Sequence, residues 1–488
     1  MTMAHALDIP EIRDTIIQFL ILSRNDLLAC TLLSHPWHSS VQPWLWRHLY
    51  LYSALQPTRL PQKKAPFPAA NLQNPPCALF QQNAVFIRHL HIKAPIDSLL
   101  LATLNSDCNA SSNGGDMASL FPALETLHIH GYCCDVAVID PEIHFATRLI
   151  RHALGQTTTL KELHLTSLPP SSVVSLLHAL DEHPFASSSS PSTATRSSLT
   201  KHPLDRLCLT DLTLPYNLVD RTQFWQHCTS IRRLEFDTVN FLGYTCPAEF
   251  TFSRLEHLKL TNMFLLAAYE QLQLMSHCPN LTSLDWSPSS ITTVHHILTT
   301  PPIISPAESS NHIIAPIDLS PLSKVHTLVL CGSRINDLSI ANVLSKCGPL
   351  RKLNVHKSGF SHESIVVLAT RHFPNLREID LGECSFVTSP MVEMLLRQCP
   401  LLEVLVAPTL KVSDIMANNI TLVEEAGEET GCHDIGGHKK EWVCSNLRVL
   451  EVQIEIDATR IDLERPFINA RLATMQKLIS IGIPRPHS

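Results

Sequence analysis

Glycine is scarce in this chain, with 14 in 488 residues. Phosphate-cradling loops need glycine where backbone must approach a ligand closely, and neither a Walker loop nor a dinucleotide fingerprint is present. Charged residues make up 17% and aromatic residues 6%. A formal net charge of −7 leaves no basic footprint, so nucleic acid is not an expected partner. No uninterrupted apolar run approaches about 20 residues, so no membrane-spanning helix and no membrane partner are expected. The first residues, MTMAHALDIPEIRD, meet acid early and lack the basic-then-apolar layout of a secretory signal. The 15 cysteines form no compact framework and read as reduced thiols of a cytoplasmic or nuclear protein. No G-x-S-x-G elbow or other catalytic motif occurs, so the chain is expected not to be an enzyme and to need no cofactor.

What is present is aliphatic. The hydrophobic fraction is 44%, enough for a packed protein. The length exceeds one ordinary core and implies several domains or a repeat architecture. Histidine, at 27, is plentiful but mostly scattered.

Three of the six tryptophans, Trp37, Trp44 and Trp46, lie within ten positions of one another. Upstream of them, Ile9, Ile12, Ile16, Phe19 and Leu20 are spaced as one face of a helix, with Pro10 and Glu11 suited to its first turn. Leu27, Leu28, Leu32 and Leu33 form a second helical stripe that Asn25 or Asp26 could cap and Pro36 should stop. VQPWLWRHLYL reads as a third, short helix starting near Pro43. Three helices over 5–52 make a bundle too small to bury much without its tryptophans.

The order Ile9-Pro10-Glu11-Ile12, Phe19-Leu20, Asp26-Leu27-Leu28, Leu33, Trp37 and Leu45-Trp46-Arg47 resembles the F-box motif. Two departures stand out: Pro10 and Glu11 adjoin where the family usually has a residue between, and Pro36 precedes Trp37. The resemblance implies a bundle that docks a Skp-type adaptor and through it a cullin-RING ubiquitin ligase. It implies that Ile9, Pro10, Ile12, Leu27, Leu28 and Trp46 lie at or near the adaptor face, with Trp37 in the core.

Residues 53–82 are proline-rich and read as a linker. Beyond it an L-x-x-L-x-L string recurs, beginning at Ile87, Leu124, Leu160, Leu204, Ile231, Leu255, Leu281, Val325, Leu350, Leu376 and Leu447, with a degraded copy at Leu402. The clean intervals are 24 to 27 residues, which is the signature of leucine-rich repeats. Cys278-Pro279, Cys347-Gly348-Pro349 and Cys399-Pro400 end the intervening helices and resemble the cysteine-containing class, where the thiol serves as a small hydrophobe. The expected fold is α/β: a small helical bundle, then a solenoid of about twelve repeats over 83–484 with a parallel concave sheet and a helical convex side. Longer intervals place loop inserts near 105–118, 186–202, 287–320 and 409–445, and NARLATMQKLISIGI is expected to close the far end. Cys432, His433, His438 and Cys444 lack paired zinc spacing, and no metal site is expected there.

Alternate residues of each strand should line the concave face. His91, His128 and His164 occupy one lane in successive repeats, flanked by His89 and His130. Arg233, Glu235, Asp237, Lys259, Asp285, Glu378 and Asp380 follow. This lane reads either as an ordinary polar face or as a partner-binding patch whose charge rises below about pH 6.5. The expected function is target recognition in a Skp-cullin-F-box type ligase, with an unidentified protein target on the repeats. The alternative is an interaction scaffold whose bundle is only an N-terminal cap.

Overall fold

The computed structural model describes residues 9–20, 24–51, 83–93, 121–131, 160–169, 204–214, 218–241, 250–263, 268–287, 318–332, 335–416, 442–473 and 480–482, with a few single positions between. The linker 53–82 and the inserts 105–118 and 186–202 lie outside the described residues, as does most of 287–320. The chain divides into two compact units, Met1–Tyr244 and Thr245–Ser488. Each is an α/β leucine-rich-repeat stack.

The first unit opens with three helices, α1 (Pro10–Leu20), α2 (Arg24–Thr31) and α3 (His35–Trp46). Ile17, Leu27, Cys30, Trp37 and Val41 form their core, with Ile16, Leu20, Trp44 and Leu45 packed against it. Pro36 sits in the first turn of α3, where a missing N–H is tolerated, rather than ending α2. The third helix therefore begins eight residues before Pro43 and runs through it. It also stops at Trp46, because the last residues of the expected helix are a strand, β1 (His48–Leu51).

That strand starts the sheet. β1 pairs in parallel with β2 (His89–Lys93), followed by β3 (Thr126–His130), β4 (Glu162–Thr166), β5 (Arg206–Thr213) and β6 (Arg233–Asn240). Helix α4 (Leu218–Cys228) lies between the last two in sequence. The second unit holds β7 (His257–Thr261), α5 (Ala268–Ser276), β8 (Ser283–Ser287), β9 (Thr327–Val329), α6 (Asp337–Lys346) and β10 (Lys352–Asn354). It continues with α7 (His362–Arg371), β11 (Glu378–Asp380), α8 (Ser389–Gln398), β12 (Val404–Lys411), β13 (Val449–Glu455), α9 (Ile461–Ala473) and β14 (Ser480–Gly482). Its strands pair in parallel, each with the next.

The repeat motif explains the packing. The fourth and sixth residues of each copy point inward: Leu90 and Ile92, Leu163 and Leu165, and Leu258 and Leu260 are all buried. Their neighbours on the other side of the pleat face outward. The eighth residue turns the chain. Ser167, Asp211, Thr238, Asn262, Lys357 and Glu383 occupy it with φ between 50° and 59°, and Gly332 occupies it with φ 124°. Helices are tied from one repeat to the next. Asn336 caps α6, and the Asp337 carboxylate accepts from the backbone N–H groups of Ser361, Glu363 and Ser364 at the start of α7. His372 is fully buried; its Nδ1 accepts from Leu350 N–H at 3.3 Å, which leaves Nε2–H to donate to the Leu344 carbonyl at 3.1 Å.

Three segments differ from the sequence expectation. Residues 409–416 are not insert but the end of β12 and a short helical run, and Trp442 and Cys444, though in irregular chain, are buried. The insert's described ends pack because their apolar side chains reach the core. At the far end, LISIGI contributes β14, whose register sets Ile481 opposite Leu450, the fourth residue of the preceding copy, so it is a further copy of the repeat. At the near end, the register His48 with His89 sets Trp46 opposite Ile87. Trp46 is thus the first residue of a repeat that precedes Ile87.

Candidate interaction surfaces

The bundle leaves aliphatic side chains in water. Ile9, Ile12, Leu28, Leu32 and Leu33 are between 38% and 87% exposed, and Pro10 is exposed beside them. Leu27 is turned the other way, 3% exposed and packed with Trp37. A helix rotates about 100° per residue, so adjacent leucines cannot both face outward. Leu27 is therefore a core residue, not part of an outer face. Trp46, the last residue of α3, is half-buried where the bundle meets the sheet. The Arg47 carbonyl accepts from Arg88 N–H at 3.0 Å and His89 N–H at 2.9 Å. Gln42 donates to Asn83 across the same junction at 2.5 Å. The C-terminal end of the bundle thus caps the sheet, while the first turns of α1 and the end of α2 stay open.

On the sheet, parallel register stacks like residues. The Tyr50 and His91 rings lie 4.3 Å apart, His91 and His128 4.1 Å, and His128 and His164 4.0 Å, with interplanar angles of 13° to 16°. His48 stacks on His89 at 4.2 Å in the neighbouring lane. Four strands thus present one continuous column of flat rings. Beyond it, Arg206 bridges two acids: its guanidinium lies 2.8 Å from Glu235 and 3.6 Å from Glu162, and Glu162 is 3.5 Å from His164.

The rings are held neutral. Burial, reinforced by the neighbouring imidazoles, pushes His91 down to about 4 and His128 down to about 3. Burial and then Arg206 lower His164, and burial and then Arg47 lower His89. Burial and then Lys93 lower His130. The expectation that the patch gains charge just below pH 6.5 is therefore corrected: desolvation and mutual repulsion defer protonation to more acid conditions. Two imidazolium ions about 4 Å apart repel by about 4 kcal/mol at an effective dielectric constant of about 20. The stack does not suit a metal either. Lone pairs lie in the ring planes, so parallel rings aim them side by side rather than at one point, and no cluster of three ligating groups occurs among the described residues. Cys444 is buried, which pushes its thiol up to about 11, and the thiol donates to the Leu396 carbonyl. Its companions Cys432, His433 and His438 lie outside the described residues.

The other anticipated surface residues fall in separate places. Arg233 is exposed opposite Arg206, and Asp237 accepts from the Thr238 hydroxyl at 3.2 Å. Glu235 is committed to Arg206. In the second unit Lys259 and Asp285 are register partners, Glu378 pairs with Lys352 at 2.6 Å, and Asp380 accepts from Gly382 N–H. His356 lies 3.8 Å from Asp380 and 3.5 Å from Glu383, and a side chain at Gly382 would collide with its ring. Sequence reasoning missed Arg206, His356, His48 and Tyr50. A signal for the last two was present: Arg47-His48-Leu49-Tyr50-Leu51 repeats Arg88-His89-Leu90-His91-Ile92 almost letter for letter.

No family model matches the chain, and no curated protein matches it. Among solved structures, it is similar to a chain of the Rad7 and Elc1 complex in yeast at 12% identity and TM-score 0.42, over 93% of this chain and 90% of that one. It is also similar to an internalin from Listeria monocytogenes at 12% identity and TM-score 0.32, over 83% and 89%. Likenesses this distant carry no functional information. Among the described residues no helix is long and apolar enough to cross a membrane.

Proposed function

We propose that this chain is a target-recruiting subunit of a Skp-cullin-F-box type ubiquitin ligase. In this reading the first turns of α1 and the end of α2 dock a Skp-type adaptor, and the open faces of the repeats hold a protein target. The observation that carries it is the set of exposed aliphatic residues Ile9, Ile12, Leu28, Leu32 and Leu33, which the protein's own repeats leave uncovered. The chain would contribute no chemistry and would speed ubiquitin transfer by holding target and ligase together. The second reading, a scaffold with a capping bundle, draws on the hydrogen bonds from Arg47 and Gln42 to the sheet. Capping and docking use different parts of the bundle, so the two are compatible until binding is measured.

The test is co-purification with a Skp-type adaptor, wild type against Ile9→Asp/Ile12→Asp. Loss of the adaptor from a variant that melts with the wild type is the expected result. A folded wild type that retains no adaptor leaves the scaffold reading standing and removes this one.

A further inference from the structure

The column of rings on β1 to β4 has a property that target recruitment does not use. Three imidazoles, His91, His128 and His164, lie face to face at 4.0 to 4.1 Å, so neighbouring rings cannot both carry charge at low cost. The groups around them do not offset this evenly. On the β1 side the column meets the uncharged ring of Tyr50, with His48 and Arg47 beside it. Around β2, Arg88 just before the strand and Lys93 at its end flank His89 and His91 in sequence, and Arg88 is paired to Glu125, the residue before β3. His130 of β3 meets Lys93 and Asp211, the latter within β5. Among the described residues, the carboxylates that act on the column stand at the β4 end, Glu162 and Glu235, and both are drawn to Arg206; Cys208 of β5 lies in register with His164. His128, in the middle, has an imidazole on each face, and His89 and Arg206 add to the repulsion there.

We propose that this imidazole column is an acid-sensitive element of the first unit: the β2 to β4 strands stay closed while the rings are neutral and open together when acid charges the column. The direction follows from linkage. An unfolded histidine takes its proton near pH 6.5, whereas the stacked rings resist it until lower pH, so the open form binds more protons between those limits. Stability is therefore complete above about pH 6.5, falls as pH drops from there towards 4, and levels off once the folded rings are themselves protonated. Among the described residues of the second unit no such ring column occurs: His356 meets carboxylates, and His372 is a single imidazole enclosed by backbone, lowered by its own burial. The element is independent of adaptor docking, so either can fail alone.

Two measurements on the full chain test it. Deuterium exchange at each imidazole C2 carbon, followed by mass spectrometry, reports the titration of individual rings in the wild type. His91 and His128 are expected to titrate well below a free histidine; midpoints at the free value would overturn the proposal. Amide exchange over β2 to β4 is then compared between about pH 6.5 and 4.5, corrected for intrinsic rates. One neutral ring gives up to about 50-fold by linkage between these pH values, and screening at half-exposed rings reduces it, so a loss of protection of at least about tenfold is expected. His91→Phe/His128→Phe/His164→Phe keeps the stack and removes the titration, and should lose less than about threefold. An equal loss in that variant would place the acid sensitivity elsewhere and refute the proposal. Should the triple variant not fold, His128→Phe alone removes the ring with imidazoles on both faces and must reduce the loss.

Discussion

Leu27 and Leu28 are adjacent in one helix and should respond oppositely to the same substitution. Leu27 is 3% exposed within a core of five buried side chains, whereas Leu28 is 45% exposed. Leu27→Ala removes buried methyl groups and leaves a cavity, which destabilises by about 2–5 kcal/mol. So small a core has little in reserve, so the bundle should open locally while the repeats stay folded. Leu28→Ala removes a side chain already half in water, for about 1 kcal/mol or less. Amide exchange over residues 10–46 separates them. At roughly 1.4 kcal/mol per tenfold, Leu27→Ala should accelerate exchange by about 30-fold or more and Leu28→Ala by less than about fivefold. Adaptor co-purification should then weaken in Leu28→Ala although exchange stays within that fivefold. Equal acceleration in the two variants, or the reverse order, would refute the assignment of faces on α2.

Two further outcomes test the packing of the repeats. His372→Phe leaves the Leu350 N–H without its acceptor in a buried site and should cost about 1–3 kcal/mol in urea unfolding; a change below about 0.5 kcal/mol would show that the bond contributes little. Thr238 is a β-branched residue held at φ 59°, where glycine is unstrained. Thr238→Gly should raise stability by up to about 1 kcal/mol, seen as a higher Tm, and a lowered Tm would mean that its bond to Asp237 outweighs the strain.

Glu235 illustrates why a surface position is not yet a site. Its place in the lane follows from the motif, but its carboxylate is committed to Arg206, so charge reversal there would disturb the sheet as well as any bound target. Arg206 itself gave no sign in the sequence, because its role depends on Glu162 and Glu235 arriving from two other strands. His372 was equally silent: one histidine among 27, it acquires partners 22 and 28 residues away only when two repeats stack.

The sequence by itself determined the repeat. Alternation of apolar and polar residues is a property of each strand's own backbone, so the period, the inward leucines and the lane of His91, His128 and His164 could be read before any contact was known. It also carried β1 and β14, but Trp46 in place of a leucine and the neighbouring helices disguised the first, and the short LISIGI the second. Only the tertiary structure decided the rest. Whether Leu27 or Leu28 faces the core depends on how α2 rolls against Trp37. Whether histidines in register carry charge depends on ring separation and burial, since the same imidazoles apart in water would titrate near their ordinary value and about 4 Å apart they do not.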